Sequence, residues 1–223
     1  MDDPDKLHPD EWKILGIVFL VLVMTFTFLN NDFNTPTGKV TSVVNVTRGA
    51  IEECDFEVYE GMNLISYHCI NGFAPIQLLF ANITDSIDYT YSYFETDIDP
   101  WKVYNPHLPS YVVQDLNLIE DRRGLWIFMA QNESMYYNGT RSLRTSIDLK
   151  QGWNLIGYPT LNDETIDDAL SSIDGDYNIV IAYRNPDDTW QTGGPEGDGS
   201  LDYITKDRGY WIYMNKDSTL SLI

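Results

Sequence analysis

Positive charge is scarce in this sequence. The 223 residues include 14 Lys and Arg but 34 Asp and Glu, so the formal net charge at pH 7 is −20. A surface of this sign repels the phosphate backbones of DNA and RNA, and it is also disfavoured at anionic lipid head groups. We therefore expect no nucleic-acid partner, and we interpret the acidic surface as one that keeps the protein dispersed in solvent.

Histidine is also scarce, and the sequence patterns of common enzyme classes are missing. His8, His68 and His107 stand in separate contexts, and none belongs to an H-x-x-H or H-E-x-x-H pattern. The G-x-S-x-G, P-loop and dinucleotide-binding glycine patterns do not occur either. Nucleophilic, phosphoryl-transfer and hydride-transfer chemistry therefore lack a signature, and we predict a non-enzymatic protein with no catalytic residues.

Cysteine occurs only at positions 54 and 69. If a β-hairpin turns at Gly61 and Met62, Cys54 and Cys69 lie opposite each other with their Cα atoms about 4.5–5.5 Å apart, within disulfide range. We predict a disulfide, which is useful outside the cytosol; the alternative is a pair of free thiols packed as small apolar side chains. No metal site is expected, because two thiols need further ligands and only His68 is close by.

One long apolar run occurs near the N-terminus. Residues 14–29 read I-L-G-I-V-F-L-V-L-V-M-T-F-T-F-L and contain no charge. The preceding segment is acidic rather than basic, and no small-residue cleavage pattern follows, so a cleaved signal peptide is disfavoured. We predict an uncleaved transmembrane signal anchor at residues 13–30, crossing the cell membrane once.

The charges that flank this segment do not decide its orientation, because Lys residues lie on both sides. The predicted disulfide and four N-x-S/T sequons favour an extracellular C-terminal domain. The acceptor positions, all downstream of the anchor, are Asn45, Asn82, Asn132 and Asn138.

Two motifs occur twice, in the same order. Residues 60–67 (E-G-M-N-L-I-S-Y) correspond to residues 151–158 (Q-G-W-N-L-I-G-Y), and residues 123–129 (R-G-L-W-I-F-M) correspond to residues 208–214 (R-G-Y-W-I-Y-M). Two motifs repeated in order indicate a duplicated unit. We expect the motif residues to build the core of each unit: Gly61, Asn63, Trp101, Trp126, Gly152, Trp153, Asn154, Trp190, Gly209 and Trp211.

The pattern of the units predicts a mainly β fold, with one short helix in each. A hairpin with Gly at the first turn position, Gly61 or Gly152, is expected to open each unit. The predicted organisation is a short polar tail, the anchor, a linker with a first strand, a diverged β-rich module and a second β-rich module, at residues 1–12, 13–30, 31–49, 50–140 and 141–223.

The order x-G-W-N-L-I-x-Y-P, then W, then R-G-Y-W-I resembles a repeat of extracellular and cell-surface proteins of archaea and some bacteria. The resemblance covers roughly residues 55–223 and is cleanest in the second unit, whereas the first departs from it at Met62, His68 and Leu125. It implies a surface location and a β module, and it implies no catalytic residues.

A glycine-rich loop offers oxygen donors that suit calcium. The sequence G-G-P-E-G-D-G-S-L-D at residues 193–202 contains Glu196, Asp198 and Asp202. The alternative is a solvated turn. No other cofactor is expected.

Together these features predict a membrane-anchored extracellular surface protein that serves interaction, adhesion or cell-envelope structure. Its partners are then other surface proteins or glycans. One alternative is a carbohydrate-binding or carbohydrate-processing accessory protein that uses exposed aromatic side chains. A second alternative is a subunit of a pilin-like surface filament.

Overall fold

The computed structural model describes residues 50–109 and 111–222. The predicted mainly β class is confirmed, since 50% of these residues lie in strands and 8% are helical. We call residues 50–141 the first half and residues 145–222 the second half. The elements of the first half are β1 Ala50–Val58, β2 Gly61–Ile65, β3 Phe73–Pro75, α1 Ile76–Leu79, β4 Ile87–Tyr93, β5 Trp101–Tyr104, β6 Leu118–Glu120, β7 Leu125–Met129 and β8 Glu133–Arg141.

The second half repeats this sequence of elements. Its elements are β9 Thr145–Leu149, β10 Gly152–Gly157, β11 Glu164–Thr165, α2 Ile166–Ala169, β12 Tyr177–Arg184, β13 Thr189–Gly193, β14 Tyr203–Ile204, β15 Gly209–Met214 and β16 Ser218–Leu222. Each helix has four residues and is followed by a short 3-10 turn, so each half contains the single short helix that the sequence predicts. The Thr165 hydroxyl begins α2 by accepting the Asp168 N–H at 3.2 Å.

Both halves have the same sheet topology. The first contains an antiparallel sheet in the order β2-β7-β4-β5, and the second contains one in the order β10-β15-β12-β13. The two-stranded pairs β1-β8 and β3-β6 correspond in the same way to β9-β16 and β11-β14. The register even shifts at the same place, at the start of β4 and at the start of β12. The same local pattern therefore folds the same way twice.

The predicted hairpins at the start of each half are wrong. The turn glycines do have the expected positive φ, 88° at Gly61 and 93° at Gly152. The strands that they join pair elsewhere, β1 with β8 and β2 with β7, so Cys54 faces Tyr137 rather than Cys69. Pairing with β8 extends over all nine residues of β1, a length that the five-residue β2 cannot match.

The described residues form three buried clusters. One lies inside the first half, between residues 54 and 135, and one lies inside the second, between residues 147 and 222. The third, here called the junction cluster, contains Leu64 and Trp126 from the first half with Leu155 and Tyr183 from the second. Each four-stranded sheet therefore packs one face on its own core and part of its other face on the other half.

The predicted anchor at residues 13–30, the polar tail, the linker with its first strand and the Asn45 sequon lie outside the described residues. Within residues 50–109 and 111–222, no helix combines the length and apolar character needed to cross a membrane. The anchor therefore stays a prediction from the sequence.

Candidate functional site

The repeated motifs of the two halves meet in main-chain contacts. Ile65, at the end of β2, forms an antiparallel bridge with Arg208 of the second half. Ile156 in β10 forms the corresponding bridge with Arg123 of the first half. The first motif of each half is thus joined to the second motif of the other half.

The glycine of each R-G-x-W-I motif allows this close approach. A Cβ atom on Gly209 would lie 2.9 Å from the carbonyl oxygen of Ile65, and one on Gly124 would lie 2.9 Å from the carbonyl oxygen of Ile156. Neither glycine has a positive φ, so it is the nearby backbone that requires glycine. Gly209, predicted as a core residue of its own unit, serves the junction instead.

The side chain of Trp126, in the first half, packs against the second half. Its ring lies 5.6 Å from the ring of Tyr183 and 5.7 Å from that of Trp190, both in the second half. Only 5% of Trp126 is exposed. These separations are typical of favourable tilted aromatic pairs.

Trp211 makes the reciprocal contact. Its ring centroid lies 5.3 Å from that of Tyr93 and 5.8 Å from that of Trp101, both in the first half. The prediction that each motif tryptophan fills the core of its own unit is therefore wrong for Trp126 and Trp211, and also for Trp101, which is partly buried against the junction cluster. The rings point away from their own cores because successive residues of a strand alternate between the two faces of the sheet.

Trp153 and Trp190 are not core residues either. They are 41% and 43% exposed, because they lie at the open edges of the aromatic contacts rather than between the sheets. The ring of Trp153 packs 6.2 Å from Trp211 and 5.1 Å from Tyr213, which is itself 36% exposed. Rings in successive contact form what we call the aromatic row: Trp101, Tyr93, Trp211, Trp153 and Tyr213.

The motif asparagines hold the turns that precede β2 and β10. The Asn63 amide oxygen accepts the Tyr59 N–H at 2.9 Å, and its nitrogen donates to the Tyr59 carbonyl at 2.7 Å. Asn154 makes the same two bonds with Lys150, at 2.8 and 2.7 Å. Both side chains are buried, as expected for motif residues, and they satisfy backbone groups that the turn leaves unpaired.

The predicted disulfide is confirmed. Cys54 and Cys69 are bonded, with their Cα atoms 5.6 Å apart, although Cys69 lies in the loop after β2 rather than in a strand paired with β1. Beside the bond lies His68, whose Nδ1 atom is 3.7 Å from the Cys54 sulfur and 2.6 Å from a carboxylate oxygen of Asp207. We call Cys54, Cys69, His68 and Asp207 the disulfide–histidine cluster; sequence reasoning missed Asp207, which comes from the other half.

The structure does not support the predicted calcium loop. The Asp198 carboxylate accepts bonds from the Thr192 hydroxyl at 2.7 Å and the Ser200 N–H at 2.9 Å, and hydrogen bonds, above all from the Ser200 side chain, lower its pKa. Glu196 accepts a bond from a residue outside the loop, Asn178, at 2.7 Å, and Asp202 is exposed. Within the described part of the chain, the one group of three His, Cys, Asp or Glu donors close enough to hold a metal is Cys54, His68 and Asp207.

The three described sequon positions, Asn82, Asn132 and Asn138, are exposed. Asn132 also stabilises the turn before β2, which the sequence does not predict. Its side-chain oxygen accepts the Glu60 N–H at 2.8 Å. Asp217 holds the corresponding Gln151 N–H at 2.9 Å in the second half. Glycosylation at these positions stays a prediction.

No family model, curated protein or solved structure matches this chain. The resemblance to a cell-surface repeat therefore depends on the repeated motifs alone.

Proposed function

We propose that this chain is a membrane-anchored extracellular surface protein whose two joined β-rich modules provide a binding surface for interaction, adhesion or cell-envelope structure. It acts without catalysis. The proposal is supported by the apolar run at residues 14–29, by the disulfide, by the exposed sequon positions and by the resemblance of the repeated motifs to a cell-surface repeat.

The aromatic row is the observation that carries the binding part of the proposal. Trp153 and Tyr213 expose large ring surfaces and pack against each other. Trp211 packs against Trp153, and Tyr93 packs against Trp211, so the exposed rings are supported by neighbouring rings. Aromatic side chains contribute much of the binding energy at protein interfaces because they remove a large area from water. Rings already held in place also lose little conformational entropy when a partner binds.

The location is tested by mass spectrometry of the full chain extracted from membranes, with and without reduction and alkylation. We expect the membrane fraction to contain protein that retains residues 13–30, with Cys54 and Cys69 alkylated only after reduction. Additional mass in sugar units would support occupied sequons. Protein lacking that segment, or thiols that react without reduction, would contradict the proposed location.

The binding surface is tested in cells that display the full chain. A double variant, Trp153→Ala with Tyr213→Ala, is expected to reduce cell–cell adhesion, measured as the aggregated fraction at equal surface expression. Tyr203→Ala is the matched control, because Tyr203 is 54% exposed but lies outside the aromatic row. Equal adhesion in the double variant and the control would exclude the row as the adhesive surface.

A second candidate function, glycan binding, is favoured by the same row. Sugars stack on aromatic faces through their apolar C–H groups, and aligned, partly exposed rings offer such faces. Affinity electrophoresis in gels that contain soluble neutral polysaccharides tests this candidate. We expect Trp153→Ala to weaken retardation by about tenfold, equivalent to roughly 1.4 kcal/mol, whereas Tyr203→Ala should not. Absence of retardation for the unmodified protein on β-glucan, mannan and soluble chitin gels would exclude these glycans and leave a protein partner.

A further inference from the structure

We propose that the disulfide–histidine cluster becomes a zinc site when the Cys54–Cys69 disulfide is reduced. Reduction provides two thiolates beside one imidazole and one carboxylate. Two Cys ligands with one His and one carboxylate form a four-coordinate set of the N, O and S donors that Zn²⁺ prefers. The inference concerns metal binding by the reduced chain and does not depend on the proposed surface function.

For three of the four donors, Cys54, His68 and Asp207, the distances in the oxidised protein are already close to those of a zinc site. Tetrahedral zinc, with Zn–S near 2.3 Å and Zn–N near 2.0 Å, holds a sulfur and a nitrogen ligand about 3.6 Å apart. The Cys54 sulfur and His68 Nδ1 are 3.7 Å apart. The donor atoms of Cys54, His68 and Asp207 all lie within 4.8 Å of one another. Zinc binding then requires the 2.6 Å His68–Asp207 pair to open to about 3.3 Å. It also requires the Cys54 and Cys69 sulfurs to separate to about 3.8 Å once their bond is broken, and both shifts are within reach of side-chain rotation.

The surroundings favour a closed site. Cys54 and Cys69 are fully buried, His68 is 2% exposed, and the Asp207 side chain is 11% exposed. Asp207 is held in place by its own backbone, because its carbonyl accepts the Ser66 N–H at 3.1 Å. Four protein ligands with little access to water are characteristic of structural rather than catalytic zinc sites.

Three of the four donors occur where the first half departs from the repeat, and the fourth, Asp207, belongs to the second half. In the second half, Thr145, Pro159 and Thr160 take the places of Cys54, His68 and Cys69. Arg122 takes the place of Asp207. The site formed by these four corresponding residues thus lacks the thiols, the imidazole and the carboxylate. It is therefore expected to bind no zinc, and it serves as a comparison within the same molecule.

The chemistry balances with an external two-electron reductant. A dithiol reduces the Cys54–Cys69 bond, is itself oxidised to a disulfide, and leaves two protein thiols. Zn²⁺ then displaces both thiol protons to solvent and binds the two thiolates. His68 binds as neutral imidazole through Nδ1, with its proton on Nε2, and the Asp207 carboxylate is the fourth ligand.

The test uses the full chain, oxidised or reduced with a water-soluble phosphine, which takes up oxygen from water as the disulfide becomes two thiols. Zn²⁺ affinity is measured by competition with a chromophoric chelator, and Co²⁺ substitution reports thiolate ligands through its charge-transfer absorption. We expect one zinc per reduced chain and none in the oxidised chain. Asp207→Asn and His68→Ala should each weaken zinc binding in the reduced chain by at least about tenfold, because loss of a residue that only supports a ligand already costs about 10- to 100-fold.

Two controls keep the test decisive. Replacing Cys54 and Cys69 by Thr introduces the residues of the second half and should abolish binding, whereas Asp198→Asn, at an exposed loop position, should leave the affinity unchanged. If reduction unfolds the chain, thiols can still bind zinc, but the unfolded chain does not bring Asp207 to them. Zinc affinity that is unaffected by Asp207→Asn, or reduced protein that binds no zinc, overturns the proposal.

Discussion

Trp126 and Trp211 hold corresponding positions in the two halves, and each packs on a Tyr–Trp pair of the other half. Trp126 contacts Tyr183 and Trp190, and Trp211 makes the reciprocal contacts in the first half. Neither half can bury its motif tryptophan alone. Because each tryptophan packs against the other half, the contact between the halves is part of the hydrophobic core.

Replacing Trp126 should therefore destabilise the whole described β region. We expect Trp126→Ala to lower the free energy of unfolding by about 3–5 kcal/mol, the usual cost of deleting a buried tryptophan. Trp153→Ala, at a 41% exposed ring, should cost less than about 1 kcal/mol. Urea denaturation followed by circular dichroism measures both, and equal costs would contradict the buried position of Trp126.

The junction glycine gives a second prediction. Gly209→Ala should destabilise by about 1–3 kcal/mol, because the new Cβ would lie 2.9 Å from the Ile65 carbonyl oxygen and the backbone must shift. Gly152→Asn is the comparison and should destabilise less. Asn tolerates positive φ, and a Cβ atom added at position 152 would meet no atom within 4 Å. Thermal unfolding distinguishes them, and a Gly209→Ala protein as stable as the unmodified one would show that the halves do not approach this closely.

Replacing either turn asparagine should lower the free energy of unfolding by a similar amount. Asn63→Asp and Asn154→Asp each keep an acceptor but lose a donor in a buried position, so each should cost about 1–3 kcal/mol at neutral pH. Asn162→Asp, at an exposed position outside these turns, should be nearly neutral. The cost should shrink in acid, where a protonated carboxyl can donate again. A harmless Asn63→Asp change in urea denaturation would disprove its role in the turn.

Asp217 should make stability depend on pH. Its pKa is lowered, first by the hydrogen bond from the Gln151 N–H and then by Lys150. A carboxyl whose pKa is lower in the folded state stabilises above its ordinary pKa, and this stability is lost as pH falls through the folded value. The urea midpoint should therefore decline below about pH 4, near the ordinary aspartate pKa.

Asp217→Asn is the matched variant, because Asn132 already makes the corresponding bond in the first half without a charge. We expect it to keep the turn but to reduce the decline between about pH 4 and pH 2. An unchanged pH profile would show that Asp217 does not contribute to acid sensitivity.

Some of the site was accessible from the sequence. The cysteines were correctly paired, yet through a hairpin that does not exist, because the loop after β2 brings Cys69 back to β1. Asp207 was missed because it is 139 positions from His68 and nothing local connects them. The predicted calcium donors Glu196, Asp198 and Asp202 do not form one of the close donor groups of the described residues, and one oxygen of Asp198 accepts bonds from neighbouring Thr and Ser side chains and backbone instead.

Taken alone, the sequence determined what depends on neighbouring residues. The strand content, one short helix in each half and the positive φ of Gly61 and Gly152 follow from side-chain alternation and from backbone sterics. Tertiary structure decided which strands pair, which half receives each tryptophan, and that Asp207 reaches His68. These choices depend on contacts between distant segments, whose free energy is gained only when both halves pack together and bury the junction cluster.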